Sequence, residues 1–115
     1  MYGADPTITD CVIEENQAER GAGMYVSSAS APTVTGCTFR DNTATSYGGG
    51  VYFYGYGQGQ ASHPHALVDC IFIGNAAAYG GGVCAVEHYQ SEILLASCQF
   101  QFNTASTRGG GFYAG

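Results

Sequence analysis

The chain has no lysine, only three arginines, and 10% charged residues in all. An ordinary soluble domain carries about a quarter. At a net charge of −6 there is no basic surface to draw in a polyanion, so neither a nucleic-acid partner nor an anionic membrane surface is expected. There are three prolines, too few for an extended proline-rich linker. No apolar run approaches the roughly 20 residues of a membrane-spanning helix, so membrane insertion is not expected. No basic stretch leads into an apolar one, so a secretory signal is not visible. Eighteen glycines and nine tyrosines are present instead, and they point to tight turns and strands.

The glycines fall in a pattern. Cys11, Cys37, Cys70 and Cys98 are each followed five residues later by Asn16, Asn42, Asn75 or Asn103. Two residues after each cysteine stands Ile13, Phe39, Phe72 or Phe100, and two after each asparagine an alanine (Ala18, Ala44, Ala77, Ala105). Five or six residues beyond each asparagine comes Gly21-Ala22-Gly23, Gly48-Gly49-Gly50, Gly80-Gly81-Gly82 or Gly109-Gly110-Gly111, and then Met24, Val51, Val83 or Phe112. From apolar residue to apolar residue the period is 27, 32 and 29 residues; Met1-Tyr2 extends it backwards by 23. A repeat with a fixed kernel and variable loops is the mark of a solenoid. The chain is therefore read as one domain, 1–115, with repeats at approximately 1–23, 24–50, 51–82 and 83–111 and the start of a further coil at 112–115.

Helical repeats fit poorly, because the repeated segments are rich in Thr, Val, Ile, Phe and Tyr and each glycine in a helix costs about 1 kcal/mol. Three short strands per coil are expected, in the first coil at 7–9, 11–14 and 24–27. Coils of such strands, stacked about 4.8 Å apart, make an all-β, parallel β-helix of about four coils with uncapped ends. Equivalent residues then form ladders: Ile8, Val34, Leu67 and Leu95; the four cysteines; and Ile13 with the three phenylalanines. Asp10, Gly36, Asp69 and Ser97, just before each cysteine, suit an outward or turn position. An asparagine stacked on its equivalent can donate to one neighbour and accept from the other, which satisfies a buried amide.

The motif Phe-x-x-Asn recurs as Phe39-Arg40-Asp41-Asn42, Phe72-Ile73-Gly74-Asn75 and Phe100-Gln101-Phe102-Asn103, with Ile13-Glu14-Glu15-Asn16 as a variant, each followed by a glycine turn and an apolar residue. This resembles the repeats of polymorphic outer-membrane proteins, which are autotransporter adhesins, and more broadly the right-handed parallel β-helix proteins related in fold to pectate lyases. The resemblance implies an extracellular or cell-surface setting.

Chemistry-bearing residues are sparse. Cysteine spacings of 26, 33 and 28 do not match paired zinc-ligand motifs, so the four are read as small buried packing residues. Cys84 stands where Tyr25, Tyr52 and Tyr113 stand in other coils and is read as packing too. His63-Pro64-His65 has no third ligand nearby in sequence. Neither a metal nor a cofactor is expected. Asp5, Asp10, Asp41 and Asp69 are scattered over coil positions, where β-helix enzymes need close carboxylates, so no catalytic residue is assigned and no enzyme is expected. The Thr-x-Thr pattern of an ice-binding face begins at Thr7-Ile8-Thr9 and Thr33-Val34-Thr35 and then stops. A loop carrying Tyr52, Tyr54, Tyr56, His63 and His65 is a candidate contact for glycan or protein.

Met1-Tyr2-Gly3-Ala4 occupies the same phase as Phe112-Tyr113-Ala114-Gly115, and an open solenoid end exposes unpaired strand edges. Met1, Tyr2, Phe112 and Tyr113 are therefore expected to be assembly ends. Their partners would be further copies stacked head to tail or flanking repeats of a longer chain. The expected function is an extracellular structural protein that builds a fibre or surface stalk by end-to-end coil stacking. The alternative is an adhesin passenger segment binding glycan or a host protein, and the third a polysaccharide-active enzyme.

Overall fold

The computed structural model describes residues 7–27, 32–54, 65–86 and 93–114. They form sixteen short strands in four turns of a solenoid. The first coil holds β1 (Thr7–Thr9), β2 (Val12–Glu14), β3 (Gln17–Arg20) and β4 (Met24–Ser27). The second holds β5 (Thr33–Thr35), β6 (Thr38–Arg40), β7 (Thr43–Tyr47) and β8 (Val51–Tyr54). The third holds β9 (His65–Val68), β10 (Ile71–Ile73), β11 (Ala76–Tyr79) and β12 (Val83–Val86), and the fourth β13 (Ile93–Ala96), β14 (Gln99–Gln101), β15 (Thr104–Arg108) and β16 (Phe112–Ala114). Equivalent strands pair in parallel into four sheets: β1-β5-β9-β13, β2-β6-β10-β14, β3-β7-β11-β15 and β4-β8-β12-β16.

Each coil thus has four strands, not the expected three. The extra one runs between the asparagine and the glycines. In coils one and three its sequences (Gln17-Ala18-Glu19-Arg20 and Ala76-Ala77-Ala78-Tyr79) lack the β-branched alternation that marks a strand. The inward position there belongs to Ala44 and Ala77, which form with Ala22 a small core cluster of their own. The strand has four residues in coils one and three and five in coils two and four. The ladder absorbs the difference as a register shift between Ala18 and Arg20, and again between Ala77 and Tyr79.

Three corners per coil turn the chain through the left-handed region. They lie just before the cysteine (Asp10, Gly36, Asp69, Ser97), just before the asparagine (Glu15, Asp41, Gly74, Phe102) and at the first glycine of each triplet (Gly21, Gly48, Gly80, Gly109), all with φ between 52° and 70°. Asp tolerates this conformation better than most residues, whereas a bulky side chain such as that of Phe102 is strained in it. The third glycine of the triplet answers to a different need, close approach. A Cβ on Gly50 would sit 2.5 Å from the Gly82 carbonyl oxygen and 3.1 Å from the Phe72 ring.

Apart from that alanine cluster, the inward apolar side chains of the first, second and fourth sheets make one continuous core. Val34 and Leu67 from the first sheet, Cys37, Phe39, Cys70 and Phe72 from the second corner and sheet, and Val51, Phe53 and Val83 from the fourth are fully buried, with Ile8, Ile13, Leu95, Cys98 and Phe100 packed half-exposed at the outer coils. The phenylalanines stack face to face, Phe39 on Phe72 at 5.0 Å and Phe72 on Phe100 at 4.9 Å between centroids.

Candidate functional site

The repeat produces two polar ladders that run the length of the molecule. Asn16 donates through its backbone N–H and its Nδ2 to Oδ1 of Asn42 at 3.1 and 3.0 Å. Asn42 does the same to Asn75 at 3.0 Å in each case, and Asn75 to Asn103 at 2.9 Å. In the other direction, Nδ2 of Asn42, Asn75 and Asn103 donates to the carbonyl oxygens of Ile13, Phe39 and Phe72 on the preceding coil, at 3.0, 2.8 and 2.8 Å. These carbonyls belong to the central residues of β2, β6 and β10, and the backbone ladder breaks just beyond them, at the Asn N–H after the left-handed corner. The side chain repairs the break, so Asn42 and Asn75 are buried without an orphaned group.

The cysteines do the same work one corner earlier. Cys37, Cys70 and Cys98 donate through Sγ to the carbonyls of Ile8, Val34 and Leu67 on the preceding coil, at 3.7, 3.5 and 3.1 Å, and the Cys11 N–H donates to Cys37 Sγ at 3.4 Å. Cysteine and asparagine thus occupy one structural position, the residue after a left-handed corner, used twice per coil. All five cysteines carry free thiols. Burial pushes the Cys37 thiol up, that of Cys70 to about 11 and that of Cys84 to about 12.

The residues proposed for a binding loop are placed differently. Tyr52 and Tyr54 belong to β8, and Tyr52 is only 1% exposed, so it is not an exposed loop side chain. It stacks on Tyr47 at 5.5 Å and meets the Tyr25 ring edge-on at 5.2 Å. The surrounding apolar packing holds its phenol protonated well above the usual tyrosine range. His65 opens β9. Tyr56, His63, Met1 and Tyr2 lie outside the described residues. Phe112 is 38% exposed on the last coil, and Tyr113 tilts against Tyr79 at 5.2 Å.

One ladder was missed from sequence. Arg20, Tyr47, Tyr79 and Arg108 are in register along the third sheet. Tyr47 stacks on Tyr79 at 5.3 Å, and the Arg20 guanidinium lies 5.8 Å over the Tyr47 ring. The signal was available, since each of these residues stands immediately before a glycine triplet. Every tyrosine among the described residues joins one ring cluster here. Asp10, Asp41 and Asp69 do not converge; each occupies a corner. Among the described residues no three His, Cys, Asp or Glu side chains gather to hold a metal ion.

In-register parallel strands, inward apolar ladders and corner-spanning polar ladders define a parallel β-helix solenoid. The profile described as right handed beta helix region matches residues 1–105, and the chain belongs to that family, which holds both enzymes such as pectate lyases and proteins without catalytic activity. Neither a curated protein nor a solved structure shows significant similarity to it.

Proposed function

We propose that the protein is an extracellular structural element whose axial faces dock further β-helix coils, a second copy stacking head to tail to build a fibre or stalk. The observation that carries this reading is the polarity of the ladders. Each coil offers its successor an asparagine N–H and a carbonyl three residues earlier, and offers its predecessor an asparagine Oδ1. On the last coil, Asn103 N–H and the Phe100 carbonyl stand where such a partner would bind. On the first, Asn16 Oδ1 is the matching acceptor. None of the three meets a partner among the described residues. The faces are complementary in one orientation only, head to tail, and a heterologous contact of this kind grows without closing. No catalytic group is needed for this role.

Negative-stain electron microscopy with mass photometry tests it. Unbranched filaments with a rise near four coil spacings, about 19 Å, are expected, and Phe112→Lys should abolish them while leaving a folded monomer. Monomers that stay discrete at high concentration would sink the reading and leave flanking repeats of a longer chain as the partner. An adhesin segment is the second reading, favoured by the half-buried tyrosine cluster. Glycan binding lost on Tyr79→Ala, in a chain that stays monomeric, would support it instead.

A further inference from the structure

The four ladder thiols stand one coil apart, in line with the solenoid axis. We propose that Cys11 and Cys37 form a two-coordinate site for a soft, closed-shell cation, the class to which copper(I) belongs. Thr38 N–H donates to the Cys11 carbonyl at 2.9 Å, and Val12 pairs with Thr38, so the two cysteines are held as neighbours at the starts of adjacent strands, their backbones about 4.8 Å apart. A disulfide needs its sulfurs about 2.05 Å apart, and parallel side chains one coil apart do not bring them there. Two metal–sulfur bonds of about 2.3 Å laid end to end span about 4.6 Å, so an ion fits between the sulfurs with little movement of the backbone.

The donor set decides which ion. A tetrahedral zinc site needs four ligands, and among the described residues no group of even three gathers. Two thiolates in line satisfy a soft ion that accepts two-fold coordination. Access and charge agree. In the unstacked chain Cys11 is exposed and Cys37 buried behind it, so before assembly an ion arrives from solvent and is bound at the mouth of the column. The Asp10 carboxylate lies over Gly36, the residue before Cys37, where a Cβ would run into its oxygen, so a cation bound beside it meets a negative charge. The chemistry is ligand exchange: each thiol gives its proton to solvent, two metal–sulfur bonds form, and no electron is transferred. Cys37 gives up a proton shared between the Thr35 and Ile8 carbonyls at 3.5 and 3.7 Å, and Cys11 one directed at the Thr9 carbonyl at 3.3 Å, all long and weak bonds.

The test adds copper(I) anaerobically to the reduced chain against a competing copper(I) chelator, with X-ray absorption of the loaded protein. The expected first equivalent has two sulfur neighbours and no nitrogen or oxygen neighbour. Cys11→Ser and Cys37→Ser should each weaken it at least tenfold, and Cys84→Ala should leave it unchanged. Because Cys11 is exposed, its variant keeps the fold, and circular dichroism checks this. Unchanged affinity in Cys11→Ser, three sulfur neighbours, or a loss confined to Cys84→Ala would each overturn the proposal.

Discussion

At Asn42 a single side chain serves several groups at once: Oδ1 accepts the Asn16 N–H, and Nδ2 donates to the Ile13 carbonyl and to Asn75 Oδ1. An alanine there takes the acceptor from the Asn16 N–H and the side-chain donor from the Ile13 carbonyl and the buried Asn75 Oδ1, at about 1–3 kcal/mol for a buried group left unpaired. Asn42→Ala should therefore lower unfolding stability by about 2–4 kcal/mol, read from the urea midpoint. The cysteines use longer and weaker bonds for the same purpose, so Cys37→Ala should cost less, mainly through lost packing. The thiols also set a pH limit. Cys70 is raised from 9.0 to about 11 and Cys84 from 9.0 to about 12, in both cases chiefly by burial. Below about pH 9 both thiols are protonated whether the chain is folded or not, and the full stability is present. Above it the unfolded chain loses protons that the folded chain retains, so stability falls as pH rises from 9 towards 12. Urea midpoints that stay level to pH 9 and then decline would agree with this; a midpoint independent of pH over 9–11 would contradict it.

Among the elements, the corners carry the strain and the strands carry the burial. Phe102 holds a φ of 56° with its side chain 83% exposed, so it bears the left-handed penalty of about 1–2 kcal/mol and gains little from packing. Phe102→Gly should raise stability by about 1 kcal/mol, visible as a melting point higher by several degrees. Gly50→Ala should act in the opposite sense, because its Cβ would press on the Gly82 carbonyl and the Phe72 ring; overpacking of this kind costs about 1–3 kcal/mol. These corners also show where the sequence was readable. Asparagine, glycine and phenylalanine recur at fixed offsets because each does a task that few other residues can, so the fold class and the ladder membership were legible from spacing alone. The strand at Gln17–Arg20 was not legible, because its inward residue is alanine and its outward residues vary with solvent. Tyr52 was misplaced for a related reason: a tyrosine in a Tyr-Gly-rich run reads as a loop residue. Only the fold shows that Tyr25 of the preceding coil and Tyr47 of its own coil enclose it.

For the molecule as a whole, nearly all stabilising contacts are between one coil and the next, so stability is a sum of intrinsic coil terms and nearest-neighbour interfaces. The burial pattern reflects this. Phe39, Phe72, Val34 and Leu67 in the middle coils are fully buried, while their equivalents Ile13, Phe100, Ile8 and Leu95 on the outer coils are only partly covered. A coil with two neighbours is thus worth more than a coil with one, and lengthening the stack adds an inner coil without adding another exposed face. This can be tested without any partner. A second copy of residues 24–50 inserted after Gly50 keeps the phase of every ladder, since Met24 and Val51 are register equivalents. The five-coil chain should unfold at a higher denaturant concentration, and its denaturant slope should grow by about a quarter, in proportion to the surface exposed. An unchanged midpoint would mean that the coils contribute independently and that their interfaces are nearly neutral. Head-to-tail stacking of separate copies would then have no driving force, so the result also bears on the proposed assembly: the interface that would join two molecules has the same composition as the one joining two coils within a molecule.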